Sequence, residues 1–400
     1  MSTSRLSQRM ALRLEELKGQ SLLRNLGLSS GINLCSNDYL GLSNDPRLKQ
    51  SLLQAVERSE RVSSTGARLL SGHHAAWDEL ETTFAGFACT EAALYLSSGF
   101  SANTGLLSAV LDPSDVIFSD ALNHASLIDG VRLSRAQKII YPHCDLDFLE
   151  HELRRHADSS GVRMMSRVIV TETIFSMDGD HAPLPEIFQL AERYGAEVIA
   201  DEAHATAVCG PHGRGLLAEY GLQNRALAVV HTCGKALASM GAFVCGSRLL
   251  KQFLINHARS FIFSTAMPPY VAGQVDAALQ LALSMDSERR HLSRLASSLR
   301  ERLALMGLNC DSSSSHIVPL IIGSNEGALS IAAWLQARGF AVRAIRAPSV
   351  PQGTARLRLS LTAKLTERDV EQFANAISDF YGAAAEENPA SLLMSQINAR

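Results

Sequence analysis

The sequence lacks most of the features that would place it in a specialised class. No apolar run approaches the ~20 residues of a membrane-spanning helix, so no membrane partner is expected. Neither charge sign dominates: 37 Lys and Arg stand against 40 Asp and Glu, a formal net charge of −3. That balance gives no electrostatic footprint for nucleic acid or an anionic surface. Seven cysteines, at positions 35, 89, 144, 209, 233, 245 and 310, show no C-x-x-C spacing. An odd, unpatterned set predicts reduced thiols and a cytoplasmic setting rather than a disulfide framework.

Metal and nucleotide signatures are missing as well. The run His151-Glu152-Leu153-Arg154-Arg155-His156 is one residue longer than H-E-x-x-H. Residues i and i+5 lie ~140° apart on a helix, so the two imidazoles cannot share one ion without distortion. His73-His74 has no third ligand nearby in sequence. No metal is expected. Asp201-Glu202-Ala203-His204 spells a helicase box, but the chain has no Walker loop, and Gly234-Lys235 lacks both the upstream Gly and the following Ser or Thr. There is no internal repeat and no secretory signal. The Arg- and Ser-rich start (Met1–Arg24) carries Glu15 and Glu16, which count against a transit peptide, so an ordinary N-terminal helix is expected.

What is present is a long chain with ample core material. At 400 residues and 46% hydrophobic, it fits one large and one small domain. Strand-like apolar runs alternate with helical patterns at 92–96, 116–118, 138–141, 167–171, 197–200, 227–231 and 242–245. This alternation predicts an α/β fold with a mostly parallel seven-stranded sheet. A long helical stretch is expected from about 269 to 306. Strands at 316–322, 341–345 and 356–361, flanking a helix over 326–338, predict a smaller C-terminal α/β domain. The expected division is an N-terminal segment 1–44, a large domain 45–285, a small domain 286–382 and a loosely ordered tail 383–400.

Three pieces with chemistry follow buried strands: Ser97-Ser98-Gly99-Phe100, Asp201-Glu202-Ala203-His204 and Thr232-Cys233-Gly234-Lys235. In open α/β sheets, ligands collect at the carboxyl ends of strands, so the three are expected in one crevice. Lys235 has small or apolar neighbours, which would lower its ammonium's pKa by desolvation and suit it to bonding an aldehyde. Asp201 ends an apolar strand, where a carboxylate needs a partner. A protonated pyridine nitrogen is one such partner, and a helix N-cap is another use of the same residue. The Gly99 turn opens a helix whose free amides suit a phosphate. An aldehyde, a pyridine and a phosphate together describe pyridoxal 5'-phosphate. His124, in Asn123-His124-Ala125-Ser126, offers a flat ring for stacking. Ser176, in the polar turn Phe175–Asp180, suits the cofactor's phenolic oxygen.

These motifs, with Ser36–Leu42 and Phe263–Pro269, resemble the α-oxoamine synthases over about residues 5–380. The resemblance implies the pyridoxal-phosphate fold type I, as in aspartate aminotransferase. It implies Lys235, His124, Asp201 and His204 as catalytic residues, with His204 beside Ser176 at the phenolic oxygen. Gly99, Phe100 and Thr232 would also hold the cofactor, and Thr265 would reach the phosphate of a neighbouring subunit in a homodimer whose active site lies at the interface. Arg24, Asn37, His124, Arg346 and Ser349 would hold substrate. Within the family, the runs 201–206 and 346–358 look most like the branch that joins L-alanine to a pimeloyl thioester in biotin synthesis. The alternative is a glycine C-acetyltransferase or 5-aminolevulinate synthase type. Trp77 departs from the family, which usually has His there.

Overall fold

The computed structural model describes residues 4–28, 30–157 and 165–387. Two compact units emerge, one from Asp38–Ser176 and Asp180–Arg290, the other from Met1–Asn37, Met177–Gly179 and His291–Arg400.

The smaller unit begins with an exposed helix, Arg5–Gly19, N-capped by the Ser4 side chain. Its first strand, β1 (Ile32–Asn33), is followed in chain order by the seven strands of the larger unit. These are β2 (Ala92–Leu96), β3 (Val116–Asp120), β4 (Gln137–Tyr141), β5 (Arg167–Glu172), β6 (Glu197–Asp201), β7 (Ala228–Thr232) and β8 (Ala242–Gly246). They form one sheet in the order β2-β8-β7-β6-β5-β3-β4, and β8 alone runs antiparallel to its neighbours. All seven expected strands are present. Most extend one or two residues past their apolar runs, because ladder hydrogen bonds come from the backbone and admit polar residues such as Asp120, Asp201 and Thr232 at strand ends.

The central strands are buried on both faces, which is why their sequences run apolar instead of alternating. On one face Ile117, Val168, Val170, Ile199, Val230 and Val244 pack with Leu106 and Leu107 of helix Gly99–Val110, Leu127 of helix Ala125–Ser134, and Leu250 and Leu254 of helix Arg248–His257. On the other, Phe243 stacks on Phe84 of helix Ala75–Ala88 at 3.8 Å between ring centres. Trp77 of that helix is fully buried, stacked on Tyr95 at 4.5 Å and lying 5.9 Å from the Arg68 guanidinium. Its role is therefore core packing.

The smaller unit adds β9 (Ile317–Gly323), β10 (Phe340–Ala341), β11 (Ala344–Ile345) and β12 (Ala355–Ser360). Strands β11, β12 and β9 form an antiparallel sheet, and β1 pairs in parallel with β10. Helix Asn325–Ala337 lies between β9 and β10 in sequence. Residues 1–37 belong to this unit because β1 pairs with β10 and the Ser360 amide donates to the Leu34 carbonyl. Met177–Gly179 joins it because Asp178 pairs with Arg356 and the Gly179 carbonyl accepts the amides of Ser314 and Ser315.

The single helix expected from 269 to 306 is instead two, Pro269–Leu283 and Asp286–Leu305. The break is stabilised from the side: Arg289 donates to the Ala282 carbonyl at 2.7 Å and to Asp286, satisfying groups that a helix end leaves open. The change from one compact unit to the other falls after Arg290, within the helix Asp286–Leu305. Helix Glu367–Glu387 continues past 383, where the tail was expected to start; 388–400 lie outside the described residues. No helix among the described residues is long and apolar enough to cross a membrane.

Candidate active site

Chain order reverses between β3 and β5, which flank each other while β4 lies outside β3. Such a switch point, at the carboxyl ends of parallel strands, is where open α/β sheets bind ligands. His124 follows β3, Ser176 follows β5, Asp201 closes β6, and Thr232 closes β7 with Lys235 three residues on. Gly99 follows β2 and opens its helix, with Ser98 as side-chain N-cap.

Lys235 Nζ lies 2.7 Å from His204 Nε2, and His204 Nδ1 lies 2.6 Å from the Tyr39 hydroxyl. The imidazole thus bridges a buried phenol and the half-buried amine. Asp201 uses both oxygens as acceptors: Oδ1 takes the Ala203 amide at 2.8 Å and Oδ2 takes Asn103 Nδ2 at 2.7 Å. No helix starts at Asp201, so the N-cap use is not realised; one oxygen instead closes a local turn through the Ala203 amide. An added Cβ on Gly99 would stand 3.5 Å from Thr232 Oγ1, so the turn after β2 reaches over β8 to the end of β7.

Two further carboxyls surround Asp201. Glu172 is its register partner across β5 and β6 and is fully buried. Burial, then the charge of Asp201, pushes the Glu172 carboxyl well above the usual carboxylate range, while the backbone amides of His124 and Ser176 act against the shift. Glu202 is also buried, and burial raises its carboxyl to about 8 against backbone donors from Leu217 and Leu216. Gly215 makes room for it: at φ +104° it needs no side chain, and a Cβ there would meet Glu202 Oε2 at 1.8 Å.

The raised Glu202 carboxyl makes stability depend on pH. The folded state holds this proton more tightly than the unfolded chain, so the stabilising contribution is complete below about pH 4.5 and lost as pH rises through about 8. Glu202→Gln is expected to flatten that part of the stability–pH curve. Urea denaturation between those limits checks it, and a slope equal to wild type would contradict the assignment.

The turn carrying Ser176 is held by His143, whose Nδ1 lies 2.9 Å from Asp120 and whose Nε2 lies 2.8 Å from Asp180. The edge of its ring contacts Phe175 at 4.4 Å between centres. Burial opposes the charge on His143, but hydrogen bonds to Asp120 and Asp180 outweigh it and push the imidazole up to about 12. Asp120, His143 and Cys144 fall within metal-ligand reach of one another. The Asp120 oxygens are engaged by the amides of Leu122 and Cys144 and by His143, so the group reads as a hydrogen-bonded turn.

Not every expected residue joins this cluster. Phe100 is half exposed, and Thr265 is bridged to Ala67. The smaller unit holds the expected substrate residues. Arg24 donates to the Ala347 carbonyl at 3.2 Å and to Ser349 Oγ at 3.5 Å, while Arg346 donates to the Ser21 and Leu23 carbonyls. Burial, then Arg24, lowers the Arg346 guanidinium. Asn37 Oδ1 accepts from Arg358, a buried guanidinium that also bonds Ser360. Tyr39, Asn103, Ser126, Glu172, His143 and Arg358 were not singled out from sequence. Tyr39 and Ser126 lie within the runs Ser36–Leu42 and Asn123–Ser126, Arg358 ends 346–358, and Asn103 stands one helical turn beyond Gly99, so position in or beside a motif is the available signal.

Pyridoxal 5'-phosphate fits this donor set. A carboxylate ends β6, an amine lies against an imidazole, and the amides of Gly99 and Phe100 open a helix. The buried Asn103 Oδ1 and Glu172 Oε1 have no hydrogen-bond partner in the chain itself.

The geometry has counterparts among known proteins. The family model for aminotransferase class I and II matches residues 29–377, and the chain belongs to that family. Among its members the resemblance is to the 8-amino-7-oxononanoate synthases. The one from Azoarcus sp. is 45% identical over 350 residues, 88% of each chain. The solved structure of the Francisella tularensis 8-amino-7-oxononanoate synthase has a TM-score of 0.76 at 27% identity, covering 89% of this chain and 99% of that one. A serine palmitoyltransferase variant from S. paucimobilis, solved with PLP bound to myriocin, has a TM-score of 0.85 at 25% identity over 96% of this chain and 99% of its own. The protein is a pyridoxal-phosphate-dependent acyltransferase.

Proposed function

We propose that the protein condenses L-alanine with a pimeloyl thioester to give 8-amino-7-oxononanoate, as its relatives' names indicate. The alanine Cα–H proton leaves, a C–C bond forms to the thioester carbonyl as the thiol departs, the carboxylate is lost as CO2, and a proton returns to Cα. The observation that carries this reading is the Lys235–His204 contact on the same strand-end edge as Asp201 and the Gly99 helix start.

When bound, pyridoxal phosphate supplies an aldehyde and a ring that accepts the electron pair left at Cα. The chain's own residues do the rest. Lys235 Nζ would hold the aldehyde, and as a free amine it is the base placed to take and return the Cα proton. His204 Nε2 holds that amine in place, backed by Tyr39. Asp201 would serve as the negative partner of the ring nitrogen, and the Gly99 and Phe100 amides with Thr232 would hold the phosphate. His124 would stack on the ring, and Ser176 would bond its phenolic oxygen. Asn37, Arg358, Arg24, Arg346 and Ser349 bind substrate, the guanidiniums serving as carboxylate partners.

The dimer reading is supported by an exposed apolar surface. Val62, Leu70 and Phe263 are 75%, 82% and 70% exposed, and the Ala67–Thr265 bridge joins their segments. Patches of this kind mark association surfaces, and a second copy in the cytoplasm is the proposed occupant. Thr265 on this surface is placed to serve the partner's phosphate. Purified holoenzyme is expected to sediment as a dimer and to yield 8-amino-7-oxononanoate from alanine and pimeloyl-CoA by mass spectrometry. Faster turnover of glycine with acetyl-CoA or succinyl-CoA, or a monomer, would refute the corresponding part.

A further inference from the structure

Two buried polar side chains that no step above uses connect Asp201 to His124. Asn103 is 1% exposed and Ser126 has no exposed surface. Asn103 Nδ2 donates both to Asp201 Oδ2 at 2.7 Å and to Ser126 Oγ at 2.9 Å. The amide orientation follows from chemistry, since the opposite one would set a carbonyl oxygen against the carboxylate. Ser126 Oγ lies 2.8 Å from His124 Nδ1, and the Ser126 amide donates to the same nitrogen at 3.2 Å.

A serine hydroxyl has one proton. The Ser126 backbone N–H already donates to His124 Nδ1, which makes that nitrogen the acceptor, so the hydroxyl gives its proton to Nδ1 while its oxygen accepts from Asn103. With an N–H and an O–H both aimed at it, Nδ1 is an acceptor and carries no proton of its own. We propose that Asn103 and Ser126 are positioning residues that hold His124 as a neutral imidazole protonated on Nε2, with the Ser126 backbone amide setting the direction at Nδ1 and the Asp201 carboxylate setting that of Asn103.

Independent features agree. His124 is the N-cap of helix Ala125–Ser134, and the positive end of a helix disfavours an imidazolium. The residue is exposed on one side, yet the packed side of its ring loses hydration, and this burial is the largest cause lowering its pKa. Asp201 opposes the shift and Lys235 adds to it. Glu172, which accepts from the His124 backbone amide, is a further titratable neighbour. The consequence for the reaction rests on the pyridoxal reading above: a neutral ring stacks on a protonated pyridine without like-charge repulsion. The tautomer itself does not rest on it.

Long-range 1H–15N NMR of histidine-labelled protein reads the tautomer directly, in apoprotein and holoenzyme, with His124→Gln identifying the signal. The expected result in both forms is an Nε2–H imidazole at about pH 7. An Nδ1–H or imidazolium pattern in the wild-type apoprotein overturns the proposal, whether or not any Ser126 variant folds. In a second arm, Ser126→Ala removes a donor that favours the neutral ring. The His124 midpoint is then expected to rise by about one pH unit and to return towards wild type in Ser126→Thr. A midpoint unmoved by Ser126→Ala, or shifted as far by Ser126→Thr, also overturns it. Because the apoprotein measurement needs neither cofactor nor substrate, failure of the proposed reaction would leave its outcome intact.

Discussion

Lys235→Ala is expected to reduce turnover by on the order of 10^4- to 10^6-fold, the scale seen when a covalent catalytic group is deleted. The amine that carries the aldehyde also moves the Cα proton, so one truncation removes two functions. The fold should survive. Lys235 is only half buried, and the turn around it is held by backbone bonds that alanine retains, including the Ala238 amide to the Lys235 carbonyl at 2.8 Å. Steady-state kinetics with a thermal melt separates lost chemistry from lost structure. Borohydride reduction and peptide mapping of wild type should label Lys235; a label elsewhere, or a variant within tenfold of wild type, would remove the residue from its proposed role.

Asp201→Asn is expected to cost about 10^2- to 10^3-fold in kcat/KM, or ~2.7–4 kcal/mol of transition-state stabilisation. Loss of the negative partner of the ring nitrogen is the main cause. The local hydrogen bonding adds a second. Both Asp201 oxygens accept from N–H groups, whereas an asparagine side chain has a single acceptor oxygen. Its amide nitrogen must therefore meet either the Ala203 amide or Asn103. Turning Asn103 to accept would break its donation to Ser126, and leaving a buried donor unpaired costs about 1–3 kcal/mol. Cofactor affinity should fall together with turnover. Fluorescence titration of the apoprotein checks the first and kinetics the second, and wild-type values in both would overturn the argument.

The core sheet was legible because each of its strands is a short apolar run between turn-forming residues. The catalytic candidates were legible for a related reason: polar groups directly after such runs stand out. Lys235 after 227–231 and Asp201 after 197–200 are examples. The helix break at Ser284–Met285 carried no comparable signal, since neither Pro nor Gly marks it and the stabilising group, Arg289, lies beyond the break. Glu172, directly after the run 167–171, carries that same strand-end signal, whereas His143 looks like an ordinary loop residue. The attachment of Met177–Gly179 to the smaller unit was likewise out of reach, because Asp178 and Arg356 are 178 positions apart.

Local patterning by itself settled the seven strands of the large sheet and the residue types at their ends, because periodicity, turn chemistry and burial demand act over a few neighbours. Partnership was decided only in three dimensions. Asn103 meets Asp201 across 98 positions, and Lys235 meets His204 across 31. Strand order brings those groups to the same edge. The direction of each hydrogen bond, and with it the protonation of His124, follows from which donors the neighbouring elements deliver.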